Sequence, residues 1–313
     1  PRARPRHETE SNAILNGAPS RTSFGHTSFS TARRAGPPEL AREVASRGID
    51  TFWVSEHTHI PVASEPPFPG FDPRTYSSML DPFIALAAAA SVTSRIKLGT
   101  AICLVTQHDP INCAKTIASL DRISNGRVLL GIGAGWNEEE MRNHGTDPST
   151  RFRLMRERVE AMKALWSEEQ PEYHGSLVDF DPVWQWPKPS RQPPIIIGGA
   201  GPGVLKRVAN YGDGWLPLVV PSIPEEMRGR QTPLDEFVES VPELRRMAAD
   251  AGKPPPSVTV TGITPDSEIV DTFERLEVDR LILRIPPSSM DDVLRERDEY
   301  VRTVEAAGGR LDG

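Results

Sequence analysis

Cysteine is scarce: Cys103 and Cys113 are the only two in 313 residues. That excludes a disulfide framework and fits a reducing, cytoplasmic setting. Long apolar runs are missing too. The longest, Phe83–Val92, covers ten residues, five of them alanine; it is too short to span a bilayer and reads as a buried helix. Basic charge is not in excess, with 36 Lys and Arg against 43 Asp and Glu for a net charge of −7. No nucleic-acid partner is expected, because phosphate-backbone binding needs clustered Lys and Arg, and no membrane partner either. Residues 1–6 (PRARPR) are arginine-rich, but no apolar segment follows them, so a secretory signal is not expected. Residues 1–20 read as a disordered or atypical tail, and 21–313 as a single domain.

What is present is most legible between Ala114 and Trp136. An amphipathic helix runs into Asn125-Gly126, then into the apolar stretch Val128–Ile132, with Gly131, Gly133 and Gly135 alternating at its end. Asn-Gly stops a helix, and a strand apolar on both faces directly after it is an αβ unit of a parallel sheet. The glycines are expected to let a flat ligand approach the backbone. The alternation continues along the chain. Strands are predicted at Thr22–Ser28, Thr51–Ser55, Ile96–Ile102, Val128–Ile132, Pro194–Ile197, Trp215–Val219, Ser257–Thr261 and Leu281–Ile285. Helices interleave with them, the last at Met290–Ala306. Eight strand–helix pairs at this length predict an α/β fold, a closed (β/α)8 TIM barrel. The rival, an open doubly wound sheet, needs G-x-G-x-x-G after its first strand. Gly131-x-Gly133 is followed by Trp136 at the third position and Gly199-x-Gly201 by Val204, so neither matches. One long connection, Glu172–Pro194, holds Trp184, Trp186 and a short hairpin pattern; its aromatics either cover apolar surface or shape a substrate site.

In such barrels the chemistry sits just past the carboxyl ends of the strands. After the second strand comes Ser55-Glu56-His57-Thr58-His59, a concentration of proton-transfer groups. His57 and His59 share one face of an extended segment, but no third ligand or Cys cluster accompanies them, so no metal is expected. An acid/base or cofactor-contact role fits better. After the fourth strand, Asn137-Glu138-Glu139-Glu140 reads as an N-cap with a favourable acidic first turn rather than a catalytic cluster. After the fifth, Gly198-Gly199-Ala200-Gly201-Pro202-Gly203 opens a helix, and its N–H groups make the best phosphate cradle in the chain.

The chain resembles the luciferase-like monooxygenase superfamily, in particular its branch of coenzyme F420-dependent oxidoreductases. The resemblance is carried by Trp53–His57, Ser94–Thr100, Leu120–Arg127, Gly131–Trp136, Trp186–Pro189 and Ile195–Gly199. It implies a deazaflavin ring in the barrel mouth with Glu56 and His57 at its reactive edge, and Ala134 among the cofactor-binding residues. It also implies a bulge with a non-prolyl cis peptide behind the ring at Ala101-Ile102, and the cofactor phosphate on Gly198, Gly199, Ala200 and Gly201. A glutamate found in sugar-phosphate dehydrogenase members is Trp136 here, so sugar-phosphate oxidation is not expected. Members usually begin with an apolar strand, whereas Thr22–Thr31 is polar.

The implied activity is hydride transfer between F420 and a small organic substrate, with His57 as acid/base and Glu56 orienting it or the cofactor. An FMN-dependent two-component monooxygenase is the alternative, and a non-catalytic flavin-binding barrel the second. A homodimer is compatible with either.

Overall fold

The computed structural model describes residues 23–28, 36–46, 48–65, 72–201, 203–223, 231–263, 267–284 and 302. The tail at residues 1–20 and the helix predicted at Met290–Ala306 lie outside the described residues, apart from residue 302. Eight parallel strands close a barrel: β1 (Ser23–Ser28), β2 (Thr51–Val54), β3 (Lys97–Thr100), β4 (Val128–Ile132), β5 (Ile195–Gly198), β6 (Gly214–Leu216), β7 (Ser257–Thr261) and β8 (Arg280–Arg284), in the order β1-β8-β7-β6-β5-β4-β3-β2. The polar first strand does close the ring. It pairs in parallel with β8 (Phe24 opposite Leu281) and with β2 (His26 opposite Phe52). Ladder hydrogen bonds come from the main chain, so β1 caps the edges of β2 and β8 whatever its side chains.

The helices are α1 (Pro37–Ser46), α2 (Pro82–Ala90), α3 (Pro110–Ser124), α4 (Glu138–Asn143), α5 (Arg151–Ser167), α6 (Val204–Tyr211), α7 (Leu234–Asp250) and α8 (Ser267–Arg275). An Asp-Pro pair starts two of them. Asp81 accepts from Ile84 N and Asp109 from Asn112 N, both at 2.9 Å, while Pro82 and Pro110 occupy the position whose N–H would be unpaired anyway. Asn125 ends α3 in the left-handed region at φ 59°, with Gly126 N donating back to Asp121 O.

Two strands differ from the sequence reading by more than one residue at an end. The third ends at Thr100, because the peptide bond Ala101–Ile102 is cis and the chain bulges before Cys103 bridges back to Ile132. The sixth ends at Leu216, and Val219–Val220 pairs instead with Thr232–Pro233 outside the barrel. The hairpin in the long connection is present, with Tyr173–His174 antiparallel to Asp179–Phe180. Its turn is clasped by the Glu157 carboxylate, which accepts from Ser176 Oγ, Leu177 N and Val178 N. The rest of the segment lies along α3, bonded to Ile111 O and Asp121. Phe180 and Val183 cover the core, while Trp184 and Trp186 face solvent.

Trp53, Leu129, Ile196, Leu216 and Ile282 fill the barrel interior, with Ala101 and Ile102 packed against them. Gly131 is glycine for a packing reason: a Cβ there would overlap the carbonyl oxygen of Thr100. At Gly133 it would overlap the Ile102 side chain, and at Gly198 it would come within 2.8 Å of it. These glycines therefore admit β3 and its bulge. The flat ligand expected there would meet the Thr100 carbonyl at Gly131 and the Ile102 side chain at Gly133 instead.

Candidate active site

The bulge is held from β2. Ser55 Oγ donates to Ala101 O at 2.8 Å, and Glu56 Oε2 accepts from Leu104 N at 2.6 Å. From β4, Gly131 O accepts from Cys103 N, and Cys103 O accepts from Gly133 N. Ala134, buried at the end of β4, accepts from Thr106 Oγ1 at 3.0 Å. Ala101, Ile102, Ala134 and Gly198 are thus brought to one rim. Ile102 forms its floor, since both Gly133 and Gly198 back onto that side chain.

Glu56 and His57 diverge. The expectation that Glu56 orients His57 is corrected: its second oxygen accepts from His108 Nε2 at 2.7 Å, a residue 52 positions away. Burial pushes the His108 imidazole down, but the hydrogen bond to the Glu56 carboxylate and its charge outweigh this and raise the pKa from 6.5 to about 9. The ion pair therefore stabilises the fold fully below pH 6.5 and progressively less as pH rises through about 9. We expect unfolding free energy to fall by on the order of 3 kcal/mol across that window. Urea unfolding of wild type and His108→Gln at pH 6 and pH 9.5 checks this. A wild-type loss no greater than that of the variant would refute the pairing.

His57 is paired with Glu140. Its Nδ1 lies 2.7 Å from Glu140 Oε2, and its Nε2 lies 3.1 Å from Trp136 Nε1. An indole N–H only donates, so Nε2 accepts; the carboxylate only accepts, so Nδ1 carries the proton. The ring is also stacked on Tyr76, with centroids 4.8 Å apart. Burial pushes the Glu140 carboxyl up, but the hydrogen bond from His57, the His57 charge and the hydrogen bond from Thr58 N hold it below the usual carboxylate range. Glu140 is fully buried, whereas Glu138 and Glu139 are exposed. The capping reading holds for those two and for Asn137, which accepts from Glu140 N at 2.9 Å. It is corrected for Glu140 itself, whose side chain turns in to His57. Sequence inspection missed Glu140 because three adjacent glutamates look alike, and missed His108 because it stands next to the Asp109 cap.

His59 belongs to a separate chain of hydrogen bonds, running from Asn143 Nδ2 to its Nε2, and from its Nδ1 through Thr58 Oγ1 to His144 Nε2. His57 and His59 are therefore committed to different partners. Two sets of potential ligand atoms lie within 4.8 Å of one another, Glu56–Cys103–His108 and His59–Glu140–His144. The hydrogen bonds just described already use the carboxylates and imidazoles of both sets.

The loop after β5 has left-handed glycines at Gly199 (φ 127°), Gly201 (φ 78°) and Gly203 (φ 89°), a conformation other residues adopt only with strain. Gly199 is fixed by its N–H on Leu216 O and by Trp215 Nε1 on its own carbonyl. Among the described residues, the N–H groups of Ala200 and Gly201 have no acceptor, and a Cβ at Gly199 would meet nothing within 4 Å. An open cradle with spare donors, at a helix start beside the Ile102 floor, fits a phosphate. No helix among the described residues is long and apolar enough to cross a membrane.

Known proteins resemble this chain in sequence and fold. An uncharacterized protein of Mycobacterium tuberculosis is 38% identical over 277 residues, 86% of this chain and 94% of that one. The F420-dependent glucose-6-phosphate dehydrogenase of Kineococcus radiotolerans is 31% identical over 181 residues, 57% of this chain and 50% of that one. Among solved structures, the oxygenating constituent of 3,6-diketocamphane monooxygenase from Pseudomonas putida, a type II Baeyer–Villiger monooxygenase in complex with FMN, superposes with a TM-score of 0.62. It is 18% identical and covers 92% of this chain and 88% of that one. Residues 21–265 match the luciferase-like monooxygenase family along a stretch that includes β1, the bulge after β3, the His57–Glu140 pair and the glycine loop, and the chain belongs to that family.

Proposed function

We propose that this protein is a coenzyme F420-dependent oxidoreductase that moves a hydride between the deazaflavin and a small organic substrate. The observation that carries the reading is the His57–Glu140 pair, set at the rim where the Ile102 floor and the glycine cradle meet. When bound, the cofactor supplies or accepts the hydride. The chain's own groups handle the accompanying proton. His57 takes or gives it at Nε2 once the Trp136 indole yields, and the buried Glu140 carboxylate stabilises the imidazolium through Nδ1–H. Glu56 positions the bulge through Leu104 N, and Ala200 and Gly201 offer N–H donors to the phosphate. The F420 relative at 31% identity supports this cofactor.

A second reading, FMN-dependent monooxygenation, is favoured by the FMN-bound structure of the same fold, since a phosphate cradle serves either cofactor. Titrating the protein with F420 and with FMN, each alone, separates them: the F420 reading expects tighter binding of F420, and the reverse order would favour FMN. A barrel that binds a cofactor but turns over no substrate would be the non-catalytic case.

The cradle has its own test. Gly199→Asp places a negative charge in it and should weaken cofactor binding at least tenfold, about 1.4 kcal/mol. Gly199→Ala serves as the control for backbone strain at φ 127°. Unchanged affinity in a folded Gly199→Asp protein would put the phosphate elsewhere.

A further inference from the structure

Two arginines beside the glycine cradle lie over one aromatic ring. The guanidinium carbon of Arg207, in the first turn of α6, is 4.2 Å from the centroid of Phe152, and that of Arg151, which opens α5, is 5.0 Å from it. Both helices start at the rim that carries the candidate active site, because each follows a strand, β5 or β4. Phe152 is 45% exposed, and the two arginines beside it are half-buried. Arg207 reaches back toward the loop: its Nη1 is 3.3 Å from where a Cβ on Gly203 would stand.

The two cations are poorly neutralised. Arg151 Nη1 donates to Pro148 O at 3.3 Å and stands 3.6 Å from Glu138 Oε1, but Glu138 is shared with Arg142. Arg207 has no hydrogen-bond acceptor and no carboxylate partner among the described residues. The Nε atoms of both arginines are wholly buried and unpaired. Burial lowers the proton affinity of Arg207; Tyr211 opposes this, and the Arg151 charge adds a smaller lowering. Two like charges held together at a half-buried site, with spare donors, are arranged for an anion: Arg207 finds none within the described residues, and Arg151 finds only the shared Glu138.

We propose that Arg207, assisted by Arg151, forms an anion subsite beyond the phosphate cradle that takes carboxylates on the tail of the bound cofactor. This rests on the F420 reading above. F420 carries glutamate carboxylates past its phosphate, whereas FMN ends at the phosphate, so the subsite would discriminate between the two cofactors. A guanidinium suits carboxylates because its planar donors pair with both oxygens.

The test compares dissociation constants of the full chain for F420 bearing its glutamates, for F420 with the glutamates removed, and for FMN, read by titration calorimetry at low salt. The wild-type protein should bind the glutamate-bearing form at least tenfold more tightly than the trimmed form. Arg207→Gln should bring both forms to the weaker value, and Arg207→Lys should restore part of the difference. Equal wild-type affinity for both forms would overturn the subsite while leaving the F420 reading intact. Equal weakening of both forms by Arg207→Gln would also overturn it, since the residue would then hold the phosphate or the scaffold. Binding of FMN with neither form of F420 would sink the F420 reading, and the subsite with it.

Discussion

His57→Ala is expected to lower kcat by about 10²–10⁴ and to leave cofactor affinity largely unchanged. The reason is the division of labour at the rim. On the proposed reading, cofactor binding draws on the Ile102 floor and the glycine loop, whereas His57 touches Glu140, Trp136 and Tyr76. Glu140→Gln should preserve the geometry, because its amide oxygen can still accept the Nδ1–H. It should nevertheless cost at least about tenfold in kcat, because the imidazolium loses its counter-charge. His59→Ala should do far less, since its partners Thr58, Asn143 and His144 are exposed side chains in a separate chain of bonds. Single-turnover kinetics with reduced cofactor, alongside equilibrium titration, reads both halves of the prediction. Loss of all cofactor binding in His57→Ala would recast the histidine as a cofactor contact or scaffold, and normal turnover would remove it from the mechanism.

The second large effect falls on stability. Gly131→Ala would drive a methyl group into the Thr100 carbonyl oxygen, and that oxygen belongs to a strand fixed on both sides by its ladders. Backbone in the centre of a barrel cannot step aside as a side chain can. Overpacking of this kind costs about 1–3 kcal/mol and occasionally more, and here the upper end or beyond is expected. A melting temperature lower by roughly 10 °C is the corresponding shift. Gly145→Ala is the control. Its φ of 76° also disfavours a side chain, but a Cβ there meets nothing within 4 Å, so only the backbone penalty of about 1–2 kcal/mol applies. If Gly131→Ala melts no lower than Gly145→Ala, the close approach of β3 and β4 is not a constraint on the fold.

Much of this protein could be read along the chain because its signals are local. The Asn125-Gly126 stop acts within one turn of helix, so α3 ends where the sequence places its end, and the alanine-rich run Phe83–Val92 is α2 to within two residues. The apolar run Val128–Ile132 is β4 as expected, because a strand covered on both faces needs no partner to be recognised. The polar first strand was harder. Its place depends on two backbone ladders, to β2 and β8, and the partner residues in β8 stand more than 250 positions away at Arg280–Arg284.

The site divides the same way. Sequence alone determined a (β/α)8 barrel, a rim carrying Glu56 and His57, and a glycine-rich loop at a helix start. The barrel follows from the strand–helix alternation along the chain, and the other two from residue type and spacing over a few positions. Only the tertiary structure decided which acid serves which histidine. Glu56, next to His57 in the chain, turns to His108, while His57 pairs with Glu140 at a separation of 83 residues. Neighbouring residues on an extended segment point in opposite directions, so adjacency kept Glu56 and His57 apart. Closure of the barrel then brought the start of α4 to the end of β2 and supplied the carboxylate that His57 uses.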